Sequence, residues 1–399
     1  AVAARGHREL AAGRPFGRGR CATRLGVRAA PCSARHGRED RTGYRAFADP
    51  LGRSWHPWRY EDPGRETLRN APTILDLADH DFIHTDAEFL SLEAQSEHTL
   101  VGRNFGWLPG EREEAARTVA GVIRTHYAES FREAYEVDVA TLDDEACVTV
   151  AARAISDFVR TLKSPRTSPY DKFLAANRID PAPKTGESPQ MYGGRVMIEL
   201  ERLSGADAVK FVDGFDEKAL QGYRMFLRTE GSERVGNCVA CHVPPTFTDR
   251  SFHNVGVTQE EYDRVHGSGS FAALEVPVAG RRPKPQFMKR TLRSRPGEVD
   301  LGYWNFARYG NSPLYEPQEA ETSFVARTIA TFKTPTLRNL ASTVPYMHNS
   351  AYTSLEDVLQ LKMEMGFVAR MGDLRNGDPE MEKIRFIDTD FEALFAFLN

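Results

Sequence analysis

Apolar residues recur every three or four positions along several stretches of the chain, which is the spacing of one face of a helix. Alternation of apolar and polar residues, which is typical of strands, is scarce. The pattern therefore predicts a mainly α fold. The predicted helices cover residues 111–124, 143–162, 216–229, 353–365 and 388–398.

Two of these helices carry a recognisable start. Asp143 and Asp144 precede the second apolar run, where an acidic N-terminus stabilises a helix. Thr353 is followed three residues later by Glu356, which is the pattern of a capping box with Thr353 as the N-cap.

Turn-rich segments separate the two halves of the chain. Residues 164–173 and 180–190 are rich in Pro, Ser and Asp, and they predict a domain boundary near residues 180–205. A chain of 399 residues can form two domains with separate cores. We therefore expect an N-terminal domain over 1–200 and a C-terminal domain over 201–399.

The net charge of −4 and the 27% of charged residues are ordinary for a globular surface. No apolar run approaches the roughly 20 residues of a membrane helix, so a membrane span is not expected. Residues 1–69 contain fifteen Arg and no Lys, but they lack the amphipathic period and the interleaved aromatic residues that nucleic-acid binding would use. Nucleic acid is therefore not an expected partner.

Cysteine spacing points to the chemistry of the protein. The chain contains five cysteines, and Cys238 and Cys241 precede His242 in a C-x-x-C-H frame, the attachment signature of haem c. The two thiols attach to the haem and the histidine binds its iron. A zinc half-site and a redox dithiol are the alternatives, but the first lacks a second C-x-x-C pair and the second lacks a βαβ setting. Cys147 lies in an apolar helix and is expected to be an inert buried thiol.

A second, degenerate frame occurs near the start of the chain. Cys32 and His36 have the spacing of the haem signature, but Arg35 stands where the second cysteine would be. From these residues alone, an isolated surface cysteine and histidine remain an equal alternative.

Several stretches together resemble the dihaem cytochrome c peroxidase and MauG family. They are residues 69–76, 236–257 and 332–359, with the terminal helix, and the T-P-T-L-R-N and P-Y-x-H motifs of the third are the most specific. The resemblance implies two cytochrome-c-like domains, each with one haem c. The C-terminal haem would pass electrons, and the N-terminal haem, at Cys32 and His36, would react with hydrogen peroxide. Arg35 leaves open that this second haem has been lost.

The resemblance also implies a further ligand for the C-terminal iron, fourteen residues after His348. That position is Lys362, whereas Met363 and Met365 follow closely. A thioether needs no proton loss and raises the reduction potential, so Met363 is the favoured ligand. The alternative for both methionines is that they fill gaps in the core.

Further residues follow from the family pattern. A calcium ion would be held by Asn70, Thr343 and Pro345, through oxygen ligands that suit a hard cation. The tryptophan expected between the haems is absent, and the candidates for the peroxide pocket are His84, Trp107 and Glu111.

The sequence therefore predicts a periplasmic haem peroxidase. Its electrons would come from a small donor protein such as a cytochrome c or a cupredoxin, and a homodimer is compatible with the chain. Two alternatives are a MauG-like enzyme that oxidises a partner protein, and an electron-transfer protein with the C-terminal haem alone.

Overall fold

The structure is a computed structural model that describes residues 69–399, with the exception of 79, 103, 104, 106, 204–208 and 279–284. The chain divides into two compact units. Within the described residues, the first unit consists of 69–84 and 89–163, and the second of 85–88 and 164–399. The expected haem domains, 1–200 and 201–399, stay a prediction.

The described part of the first unit is helical. Helices α1 and α2 pack against α4, and small buried side chains on α2 and α4 allow these two to approach closely. The helices are α1 (Leu92–Leu100), α2 (Arg112–His126), α3 (Ala128–Tyr135) and α4 (Asp144–Thr161).

Helix α4 begins where the sequence predicts. The side chain of Asp143 accepts a hydrogen bond from the backbone N–H of Ala146 at 2.7 Å, which satisfies one of the free donors at the helix start. Cys147, one turn into the helix, is fully buried and unpaired, as expected of an inert thiol.

The second unit is also mainly helical. Its helices are α5 (Pro169–Asn177), α6 (Pro189–Leu203), α7 (Glu217–Leu227), α8 (Val257–His266), α9 (Ser270–Ala273), α10 (Glu321–Arg327), α11 (Leu355–Arg370) and α12 (Phe391–Leu398). Two short strands, β1 (Phe252–His253) and β2 (Phe332–Lys333), pair antiparallel. Together with the helices of the first unit, this confirms the predicted mainly α class.

The core of the second unit forms where α7 crosses α12. A Cβ atom at Gly222 would collide with the backbone carbonyl of Ala393, so glycine permits this close approach. Around the crossing, the rings of Tyr223 and Phe397 lie 5.0 Å apart, and those of Phe226 and Phe247 lie 5.7 Å apart. This aromatic cluster anchors the segment that follows α7.

Two local expectations are wrong. Residues 164–173 do not form only turns, because Ser168 and Asp171 form a capping box and α5 begins at Pro169. Helix α11 is capped by Ser354 instead of Thr353, since the Ser354 hydroxyl accepts the N–H of Asp357 at 3.0 Å. Among the described helices, none combines the length and hydropathy of a membrane span.

Candidate functional site

The haem signature folds as a single helical turn, separated from the end of α7 by ten residues. Residues Cys238–Ala240 form a 3₁₀ turn that begins after Asn237, whose φ of 52° is left-handed. The N–H groups of Cys241 and His242 both donate to the carbonyl of Cys238, at 3.3 and 2.8 Å. Positions separated by three and four residues share one face of a helical turn, so Cys238, Cys241 and His242 project to the same side.

The imidazole of His242 is oriented by the backbone. Its Nδ1 lies 3.0 Å from the carbonyl oxygen of Phe247, and because a carbonyl can only accept, Nδ1 carries the proton. The neutral ring therefore presents the lone pair of Nε2. A metal-binding histidine commonly has this arrangement, in which one nitrogen is held by a carbonyl and the other binds the metal.

Arg338 holds the loop that carries Phe247. Its guanidinium donates to the carbonyl oxygen of Pro245 at 2.7 and 2.9 Å and forms a two-pronged ion pair with Asp171 at 2.6 and 2.9 Å. It also lies over the Phe247 ring at 5.0 Å. Both charged side chains are about nine-tenths buried, so this pair fixes the loop rigidly.

The groups around the turn are strongly desolvated. Burial raises the pKa of the Cys238 thiol to about 12 and lowers the pKa of His242 to about 4. Burial also lowers the pKa of Lys362 on α11. Each of these residues nevertheless keeps intermediate solvent exposure. These groups are therefore largely shielded from bulk water, which disfavours their charged forms.

The residues present fit a haem c. Both thiols are free and are not joined in a disulfide. At Gly236, a Cβ atom would lie 2.7 Å from the backbone carbonyl oxygen of Met225 and 3.3 Å from Sγ of Cys238, so glycine permits the close packing of the chain before this thiol. Two thiols and one neutral imidazole on one face, with Nδ1 of the imidazole held by a carbonyl, are the donor set that covalent haem attachment needs.

A charged cluster that sequence reasoning missed lies next to Cys241. The imidazole of His253 pairs with Asp249 at 2.8 Å and with Asp378 at 2.5 Å. Burial opposes the charge on the ring, but the two carboxylates outweigh it and raise the pKa of His253 to about 12. One ligand atom from each of Cys241, Asp249 and His253 lies within 4.8 Å of the others. No local sequence pattern predicts the pairing with Asp378, which is 125 positions from His253.

The three candidates for the further iron ligand lie on α11. Met365 is buried and Met363 partly buried, and both pack in an apolar cluster with Leu361 and Ile384. Lys362 instead acts electrostatically on Cys238. The assignment of Met363 to the iron stays a prediction.

The candidates for the peroxide pocket belong to the first unit. His84 has a left-handed φ of 68°, and its ring meets the edge of Phe89 at 5.0 Å. The Phe89 ring in turn lies 5.1 Å from His98, a residue that the sequence reasoning did not single out. Trp107 is half-buried against the core around α2 and α4. Glu111 accepts the backbone N–H of Leu108 at 2.8 Å, which closes the turn before α2.

The remaining predictions are untested. Asn70 lies in the first unit, whereas Thr343 and Pro345 lie in the second, and the calcium assignment stays a prediction. Cys32 and His36 fall outside the described residues, so the second haem stays a prediction as well.

Comparison with known proteins tests the family. A model of the di-haem cytochrome c peroxidase family matches residues 31–178. The cytochrome-c peroxidase IdrP1 of Denitromonas iodatirespirans is 24% identical over 298 residues, which cover 74% of this chain and 60% of the relative. IdrP1 of Pseudomonas sp. (strain SCT) is 22% identical over 340 residues, which cover 84% of this chain and 69% of the relative.

The resemblance to the dihaem cytochrome c peroxidase and MauG family is confirmed. The crystal structure of the diheme peroxidase BthA from Burkholderia thailandensis E264 matches with a TM-score of 0.50 and 17% identity, over 84% of this chain and 71% of that one. This likeness confirms the predicted fold class, which is mainly helical with cytochrome-c-like domains. The chain spans only 60% of the length of the Denitromonas relative.

Proposed function

We propose that the protein is a haem c peroxidase that reduces hydrogen peroxide with electrons from a small redox protein. The observation that carries the proposal is the helical turn that presents Cys238, Cys241 and His242 on one side, with Nδ1 of His242 already held by Phe247. The relatives named cytochrome-c peroxidase support the activity.

Each residue of the turn has one role in this proposal. Cys238 and Cys241 form the thioether bonds, and Nε2 of His242 binds the iron. When bound, a haem c supplies one-electron transfer, while the protein sets its orientation and potential. The hydrogen bond to Phe247 holds the imidazole in the orientation for binding and makes its Nε2 a stronger donor.

The overall reaction needs two electrons. Hydrogen peroxide takes up two electrons and two protons and yields two water molecules, so two one-electron donor molecules are oxidised in each cycle. We propose a cytochrome c or a cupredoxin as the donor and the periplasm as the compartment. Peroxide would react at a second haem attached through Cys32 and bound by His36.

The first unit would supply the groups that act on peroxide. His84 and Glu111 are the proposed proton-moving residues, because an imidazole or a carboxylate can carry a proton from one peroxide oxygen to the other. Trp107 is the proposed aromatic carrier of electrons. Calcium bound by Asn70, Thr343 and Pro345 would complete the cofactor set.

Haem content tests the proposal directly. The full chain, matured in a periplasm with the haem-attachment machinery, is weighed intact and assayed with peroxide and a reduced cytochrome c. We expect covalent haem in the parent chain and its loss in Cys238→Ser/Cys241→Ser. Cys147→Ala is the matched control, since this buried thiol lies in the first unit and should leave haem content unchanged.

The outcomes separate the candidate functions. Two haems with peroxide turnover support the proposal in full. One haem with electron transfer but without peroxide turnover would leave an electron-transfer protein, and absence of covalent haem would overturn the site itself.

A further inference from the structure

Helix α11 carries a lysine on its inward face. Leu355, Leu359, Gly366 and Ala369 are buried, and they follow the intervals of three and four residues that mark one side of a helix. Lys362 occupies the gap in this series, three residues after Leu359 and four before Gly366. A lysine rarely occupies such a position, because an ammonium group taken from water without a partner is strongly destabilised.

The amine of Lys362 faces the haem-binding groups. It acts electrostatically on Cys238, Cys241 and His242. Asp378 also acts on it from a distance, but that carboxylate is already bonded to His253. With the residues that the structure describes, Lys362 forms neither a hydrogen bond nor an ion pair. The amine is therefore not committed to any of these residues.

We infer that Lys362 is the second axial ligand of the iron whose first ligand is His242. The inference rests on the proposed haem site. It explains why an inward position of an apolar stripe carries an amine, because a bond to the iron compensates for the missing hydrogen bonds. A lysine amine binds a metal ion through its nitrogen lone pair, and binding displaces its proton.

The neighbouring methionines pack in the apolar core. Adjacent residues of an α-helix point about 100° apart, so Lys362 and Met363 project in different directions from α11. Met363 packs with the apolar cluster that contains Leu361 and Ile384. Met365 lies tightly against Gly256, where a Cβ atom would come within 2.5 Å of its Sδ. Both thioethers therefore fill core space, which is the usual role of methionine.

A nitrogen ligand changes the redox properties of the site. Axial methionine raises the reduction potential of a haem, and an amine is a harder donor that favours the oxidised iron. The haem at Cys238 and Cys241 should therefore have a lower potential with Lys362 than in a variant that places a thioether at the same position.

The test identifies the ligand spectroscopically. The parent holoprotein is produced with lysine labelled with ¹⁵N at Nζ, and electron–nuclear double resonance of the ferric haem detects nitrogen bound to the iron. Three variants are compared with it: Lys362→Ala, Lys362→Met and Met363→Leu, which conserves volume and tests the rival ligand. Intact mass confirms in each case that haem is attached through the thioethers.

We expect the ¹⁵N coupling in the parent and in Met363→Leu, and its loss in Lys362→Ala with a shift from low-spin to high-spin iron. Lys362→Met should restore low-spin iron with a raised reduction potential. A parent without lysine coupling, or a low-spin signal lost in Met363→Leu and kept in Lys362→Ala, would overturn the inference while the haem site stands. A parent chain without attached haem would instead refute the proposed function and the inference together.

Discussion

Nδ1 of His253 lies 2.5 Å from Oδ2 of Asp378, and Nε2 of the same ring lies 2.8 Å from Oδ2 of Asp249. Carboxylates only accept, so both ring nitrogens donate and the ring is an imidazolium. A fixed positive charge between two negative charges therefore lies beside Cys241, at one edge of the haem-binding turn.

The His253 charge predicts a pH-dependent stability. Its pKa is about 12 in the folded chain and 6.5 in the reference state, so its contribution is complete below pH 6.5 and is lost as pH rises towards 12. His253→Asn should lower the free energy of unfolding by about 3 kcal/mol at neutral pH, because two partly buried carboxylates lose their partner.

Urea unfolding at a series of pH values above neutral measures this effect. The difference between the parent and His253→Asn should shrink as pH rises. His126→Asn, at an exposed position of α2, serves as the control and should follow the parent. A difference that stays constant with pH would contradict the imidazolium assignment.

The pair between Arg338 and Asp171 should contribute strongly to stability. Arg338→Ala leaves a buried carboxylate unpaired and should destabilise the second unit by about 3–5 kcal/mol. Arg338→Lys should recover only part of this, since lysine cannot form the two-pronged pair. Thermal and urea unfolding measure both variants.

An exposed ion pair provides the comparison for Arg338. Arg112 and Glu145 lie 2.9 Å apart with about half of each side chain exposed, so Arg112→Ala should cost under about 1 kcal/mol. Equal losses of unfolding free energy in Arg112→Ala and Arg338→Ala would show that burial does not set the strength of the Arg338 pair.

Two glycines in helices should respond in opposite directions to alanine. Gly222→Ala would force α7 and α12 apart, because the new Cβ atom meets the backbone of Ala393, and we expect a loss of about 1–3 kcal/mol. Gly121→Ala on α2 adds a methyl group to open space and should stabilise by about 0.5–1 kcal/mol. Chemical unfolding of both variants measures the sign of each change in stability. A Gly222→Ala protein as stable as the parent would contradict the close crossing of α7 and α12.

Glu111 can be tested as a proton-moving residue. Glu111→Gln keeps the size of the side chain and an oxygen for the N–H of Leu108, but it removes the carboxylate. We expect peroxide turnover to fall by about 10²–10⁴-fold with little change in stability. Glu113→Gln, on the exposed side of α2, is the control. Unchanged turnover in Glu111→Gln would show that this residue only stabilises the turn before α2.

Local sequence patterns predict the haem-binding turn and the starts of helices better than they predict contacts between residues far apart in the chain. The haem-binding turn follows from five consecutive residues, and the start of α4 follows from Asp143. The cap of α11 was placed one residue early, because Thr353 and Ser354 are both good N-caps and only the backbone conformation decides between them. The start of α5 does not follow from the pattern, because Pro169 stands in a segment rich in Ser and Pro that is typical of turns, although proline is well suited to the first helical position.

The pairing of His253 with Asp378 has no counterpart in the sequence pattern. These residues lie 125 positions apart, and neither belongs to a spaced motif. The same holds for Arg338 and Asp171, which are separated by 167 positions. Such contacts depend on how the helices pack, and packing is not encoded in a local period.

The crossing of α7 and α12 sets an order of events for maturation. Helix α7 is the last α-helix before the haem-binding turn. Yet it packs against a helix far along the chain, as the pair of Lys218 and Glu392, 174 positions apart, illustrates. Closing so long a loop is slow, and α7 cannot complete its packing until α12 has been synthesised. The thiols of the turn should therefore stay accessible to a haem-attachment enzyme throughout translation, before folding encloses them.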